Sequence, residues 1–163
     1  MPKMPASQSP AKKTRQARGR RAAEARRVGS TAMEDYLEQI FQLIQGKGYA
    51  RVVDIAERLG ISQASVTNMI KRMDTEGLVI HEKYRGLTLS ERGEEVARYI
   101  VRRHEILKRL LDMFGIDGET VHRDVEGMEH HISSPTLKAL DGLVRLLESE
   151  PELVERARRL SEG

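Results

Sequence analysis

Beyond residue 30 the apolar positions recur at helical spacing. Tyr36, Ile40, Phe41, Leu43 and Ile44 share one side of a helix that Ser30 or Thr31 can cap. Glu34 and Asp35 fall in its first turn, where the helix dipole favours anions, and Gly46-Lys47-Gly48 ends it. A short helix over Val52–Leu59 stops at Gly60, and a helix over Gln63–Glu76, capped by Ser62, stops at Gly77. The period then changes. Leu78 to Lys83 reads as a strand, Tyr84-Arg85-Gly86 as a turn and Leu87-Thr88-Leu89 as the returning strand. Three helices followed by a two-stranded hairpin is the order of a winged helix-turn-helix.

Downstream the pattern is helical again. Ser90 caps a long helix of about 24 residues that runs to about Phe114, and Gly115-Ile116-Asp117-Gly118 breaks it. A helix is expected over about 119–131, another from Ser133-Ser134-Pro135 to about Ser149, and a short last one from Pro151. The expected fold is mainly α: an N-terminal winged helix-turn-helix domain joined by a long helix to an all-helical dimerisation domain. The expected divisions are a disordered basic tail at 1–30, a DNA-binding domain at 31–93 and a helical metal-binding and dimerisation domain at 94–163. Leu137, Leu140, Val144 and Leu147 form an apolar stripe for packing and pairing.

Charge sharpens this division. Residues 1–30 hold nine Lys/Arg and one acid, a net +8, while the other 19 Lys/Arg and 24 acids leave the body at −5. The tail lacks the large apolar groups that would repay its ordering entropy, and its charge suits an arm that contacts phosphates. The absence of Cys excludes disulfides, thiolate zinc sites and a cysteine nucleophile. No apolar run reaches the ~18–20 residues of a membrane span, and the basic start lacks the apolar stretch of a signal peptide. A cytoplasmic protein without membrane contact is expected. Aromatics at 4% suit an aliphatic helical core.

In a helix-turn-helix the second helix enters the major groove. Here Val66, Met69, Ile70 and Met73 form its buried stripe, which turns Gln63, Ala64, Thr67, Asn68 and Lys71 outward. Gln and Asn can pair bidentately with adenine, and Ala or Thr can meet a thymine methyl. Lys71 and Arg72 suit phosphates, as does Arg85 at the hairpin tip.

A second constellation concerns metal. Glu126, Glu129 and His130 stand at i, i+3 and i+4, which gathers two carboxylates and an imidazole on one helical face. Asp35 and Glu38 make another i, i+3 carboxylate pair, and His104 lies on the long helix. The six converge if those three helices pack together. Oxygen and imidazole donors without thiolate suit hard or borderline cations such as Mn²⁺ or Fe²⁺ in octahedral geometry. His131 points about 100° away from His130 and is read as supporting or structural, and Glu105 as a supporting acid. His122 is read as a surface residue, because its Glu119-x-x-His122 motif has no second copy to make a di-iron site.

Met33-Glu-Asp-Tyr-Leu-Glu-Gln-Ile, Lys47-Gly-Tyr-Ala-Arg-Val, Asp54-Ile-Ala, Ser65-Val-Thr, Glu82-Lys-Tyr-Arg-Gly-Leu, Arg103-His-Glu and Asp124-Val-Glu-Gly-Met-Glu-His-His resemble the manganese-sensing branch of the diphtheria toxin repressor family. The resemblance covers about residues 31–148. It implies that Asp35, Glu38, His104, Glu126, Glu129 and His130 bind a two-manganese cluster with bridging carboxylates. Iron-sensing relatives resemble this pattern but carry Met and Cys where this chain has Asp35 and Glu126. The chain, ending at Gly163, is expected to lack their SH3-like third domain. The implied function is an Mn²⁺-responsive repressor of manganese homeostasis genes, not an enzyme, acting as a homodimer on a palindromic operator in double-stranded DNA. The alternatives are a winged-helix regulator that answers to Fe²⁺ or a small organic ligand, and a dinuclear metal hydrolase.

Overall fold

A computed structural model describes residues 30–82 and 86–161. Three helices come first: α1 (Thr31–Lys47), α2 (Val52–Leu59) and α3 (Gln63–Thr75). Strands β1 (Val79–Glu82) and β2 (Gly86–Leu89) follow, then α4 (Glu91–Met113), α5 (Gly118–Glu129), α6 (Ser134–Ser149) and α7 (Pro151–Ser161). This is the winged helix-turn-helix and helical domain that the hydrophobic pattern predicts. The hairpin tip at 83–85, which includes Arg85, and the basic tail lie outside the described residues.

Local chemistry sets the boundaries. The Ser30, Ser62, Ser90 and Ser133 hydroxyls each accept a hydrogen bond from the backbone N–H three residues on. Gly48 and Gly60 end α1 and α2 in the left-handed region, at φ 80° and 65°. The last-domain helix α5 is shorter than expected. It ends at Glu129, so that His130 becomes its C-terminal cap and His131 lies in the turn beyond.

One core fills the N-terminal domain: Met33, Leu37 and Ile40 of α1 pack with Ile55, Val66, Met73, Leu78, Leu87 and Ile100. The wing is a two-stranded antiparallel sheet, with Val79 opposite Leu89 and His81 opposite Leu87. Its base seats α4 closely, since a Cβ on Gly93 would come 1.8 Å from the Leu78 carbonyl oxygen. Two smaller clusters hold α5 and α6 against α4, around Ile106 with Leu137 and Val144, and around Leu107 with Val121 and Val125.

The stripe of Leu137, Leu140, Val144 and Leu147 meets only half of its expectation. Leu137, Val144 and Leu147 are buried within the protomer and Leu140 packs beside them, so the stripe is consumed in folding. The leucines that α6 leaves outside are Leu143 and Leu146, which are 43% and 47% exposed.

Candidate metal centre and DNA-binding face

Of the six metal candidates, His104, Glu126 and Glu129 bring donor atoms together where α4 and α5 meet, while His130 touches Glu129 from the side and Asp35 and Glu38 of α1 stand within electrostatic reach. His104 Nδ1 on α4 is 3.2 Å from Glu129 Oε2 and 3.8 Å from Glu126 Oε1 on α5. Donor atoms of these three residues lie within 4.8 Å of one another. Glu129 is 2% exposed, whereas Glu126 opens to solvent.

Asp35 and Glu38 are half-buried on α1, within electrostatic reach of the cluster. Burial pushes the Asp35 carboxyl above the usual range, and the charges of Glu126, Glu129 and Glu34 push it further against the pull of His130. Burial does the same to Glu38, where Glu129, Glu126 and Asp35 add repulsion and His104 opposes it. The His104 imidazole is raised, chiefly by its hydrogen bond to Glu129. The charge of this junction is therefore negative in excess of what its two imidazoles offset.

His130 reaches back from the end of α5. Its Nδ1 is 3.0 Å from Glu34 Oε2, and its Nε2 is 3.6 Å from Glu129 Oε1. Arg103 Nη2 donates to the same Glu34 oxygen at 2.7 Å and lies 3.6 Å from Glu129 Oε1. Sequence reading missed Glu34 and Arg103. Their only signal was their adjacency to Asp35 and His104.

The other expectations separate. Glu105 is exposed on the side of α4 where Arg109 lies, because one residue past His104 the helix has turned about 100°. It does not support the cluster. His122 and His131 are exposed.

On α3, Val66, Ile70 and Met73 are buried and Met69 packs beside them. Gln63, Ala64, Thr67, Asn68, Lys71 and Arg72 are all exposed. The Thr67 hydroxyl donates to the Gln63 carbonyl at 2.8 Å, which leaves its methyl as the group to face a base edge. In the loop after α1, Tyr49 lies between two cations, with Lys47 Nζ 4.9 Å and the Arg51 guanidinium 4.7 Å from its ring centre. Hydrogen bonds also tie α2 to the Glu38 end of this junction. Arg58 on α2 donates to Gln42 at 3.2 Å, and Gln42 donates to Glu38 at 3.0 Å.

Comparison with known proteins decides the family. Residues 30–87 match "Iron dependent repressor, N-terminal DNA binding domain", and residues 90–155 match "Iron dependent repressor, metal binding and dimerisation domain". The chain belongs to the iron-dependent repressor family. Members within it include the HTH-type transcriptional regulator MntR of Lysinibacillus sphaericus, 46% identical over 125 residues, or 77% of this chain and 90% of that protein. MntR of Bacillus subtilis is 45% identical over 119 residues, 73% of this chain and 84% of that one. Among solved structures, the manganese regulator SloR aligns with a TM-score of 0.62 at 27% identity, covering 69% of this chain and 53% of SloR. Like other members of the iron-dependent repressor family, this chain is a metal-responsive, DNA-binding transcriptional repressor with a dimerisation domain, and not an enzyme.

Proposed function

We propose that the chain is an Mn²⁺-responsive repressor of manganese homeostasis genes, acting in the cytoplasm as a homodimer on a palindromic operator. Asp35, Glu38, His104, Glu126, Glu129 and His130 would hold the metal, two ions per chain. The carrying observation is the cluster of His104, Glu126 and Glu129 donor atoms within 4.8 Å of one another, and the electrostatic influence of these groups on Asp35 and Glu38 of α1 supports the larger set. The donor set is oxygen and imidazole nitrogen throughout, which fits a hard divalent cation. Two solved relatives are in keeping with this, the manganese regulator SloR and the manganese-activated repressor ScaR, the latter 28% identical with a TM-score of 0.59.

The mechanism follows from where the residues sit. Asp35 and Glu38 belong to the helix that carries the DNA-binding core, and Glu126, Glu129 and His130 to the dimerisation half. Without a cation their like charges repel across the junction and loosen it. A bound divalent ion supplies the positive charge that turns this repulsion into attraction. The residues then fix α1, and α3 packed with it, relative to α4 and to the dimer partner. Operator affinity rises because the two recognition helices hold one spacing. A 100-fold rise needs about 2.7 kcal/mol of difference between the two states.

Gln63, Ala64, Thr67 and Asn68 are proposed to read base edges, and Lys71, Arg72 and Arg85 to contact phosphates. The tail at 1–30 adds phosphate contacts, so deleting it is expected to weaken operator binding and flatten its dependence on salt. An unchanged salt slope would leave the tail outside the complex. The metal reading is tested by Glu126→Ala in a gel-shift assay across an Mn²⁺ series. Loss of the Mn²⁺ response is expected, and an unchanged response contradicts the site.

A further inference from the structure

Glu34 sits next to a proposed ligand, yet its geometry gives it a different task. One of its oxygens, Oε2, receives Arg103 Nη2 at 2.7 Å and His130 Nδ1 at 3.0 Å. A guanidinium is always charged and donates only. Arg103, 4% exposed, therefore holds Glu34 in place through this contact. The Glu34 oxygen that accepts from the guanidinium serves as acceptor on this side too, so His130 Nδ1 carries the hydrogen in this contact. The lone pair of the neutral ring is then on Nε2. That nitrogen is the one 3.6 Å from Glu129 Oε1, on the side of the cluster.

We infer that Glu34 is a positioning residue for the metal centre: it fixes His130 in the Nδ1–H tautomer and aims Nε2 at the ion, with Arg103 as its anchor. A carboxylate that holds the far nitrogen of a metal-binding imidazole is a recurrent arrangement, and it sets both the tautomer and the ring orientation. Three elements supply the chain of contacts, Glu34 from α1, Arg103 from α4 and His130 from the end of α5. Glu34 Oε2, already shared between two donors, is thereby taken up by positioning. It also spans the same junction that the metal is proposed to close, so His130 is oriented only while α1 is docked. The inference rests on the reading of His130 as a ligand.

The first test needs no substitution. Long-range ¹H–¹⁵N correlation NMR of the metal-free full chain at about pH 8, above the ordinary histidine value, is expected to show His130 as the Nδ1–H tautomer. The resonance is assigned by through-bond correlation from the His130 backbone of the unsubstituted chain. An Nε2–H tautomer overturns the inference, whether or not any variant folds. The second test is Mn²⁺ affinity from the EPR signal of the free ion. Glu34→Ala is expected to lose the Nδ1–H tautomer and about 10–100-fold in affinity. Glu34→Gln, whose amide oxygen still accepts from Nδ1, should restore the tautomer and most of the affinity. A loss in H130A without one in E34A overturns the role of Glu34 alone. Unchanged affinity in H130A overturns the ligand reading and this inference with it.

Discussion

A carboxylate as deeply buried as Glu129, 2% exposed, persists only beside positive charge. In the metal-free fold that charge comes from His104 at 3.2 Å and Arg103 at 3.6 Å. Asp35 and Glu38 are less well served, and burial raises both above their usual range. A carboxyl raised in the folded state makes its ionised form a cost to folding, and protonation relieves that cost as pH falls toward its folded value. His104 is also raised, so its contribution is present below the ordinary value of about 6.5 and is lost as pH climbs through its higher folded value. Both trends make the metal-free protein less stable as pH rises, the carboxyls from their ordinary values upward and His104 from about 6.5 upward. Mn²⁺ competes with the same protons, so its stabilisation grows in that direction. Thermal melts with and without Mn²⁺ at about pH 6 and 8 check this. The Mn²⁺-induced rise in Tm should be larger at the higher pH, and an equal rise at both would contradict the assignment of these groups.

At the scale of elements, the start of α4 is the tightest fit in the described chain. Gly93 lies against the Leu78 backbone, with no room for the 1.8 Å approach of a Cβ, and Ser90 hydrogen-bonds the Gly77 carbonyl at 2.6 Å. This contact sets the angle at which the linking helix leaves the wing. Gly93→Ala must displace backbone rather than a side chain, and overpacking of that kind costs about 1–3 kcal/mol or more. A lower urea midpoint is expected, and an unchanged midpoint would show that the helix can shift freely. The same helix shows what a sequence reveals. Capping serines, stopping glycines and the 126/129/130 spacing were legible because each depends on near neighbours in the chain. Glu34 and Arg103 were not, since a single charge on a helix reads as solvated until α1, α4 and α5 pack and bury it. The stripe from Leu137 to Leu147 was legible as buried, but periodicity cannot say whether the burial lies within a protomer or between two. His130 falls at a helix end, where spacing is least informative, and there its ring turns back to Glu34.

On the proposed reading the basic tail and the acidic body divide the labour over the whole molecule. The tail's +8 favours DNA in any state, whereas part of the body's −5 is concentrated at the junction between the DNA-binding and dimerisation halves. No described helix is long and apolar enough to cross a membrane. In this account the junction decides when the general attraction becomes tight and specific. The most direct test is the affinity of the full chain for duplexes it enriches from a random-sequence library in the presence of Mn²⁺, measured by fluorescence anisotropy with Mn²⁺, with Mg²⁺ alone and with a chelator. Binding on the order of 100-fold tighter with Mn²⁺ than with either Mg²⁺ or chelator is expected. Equal affinity in all three would contradict it.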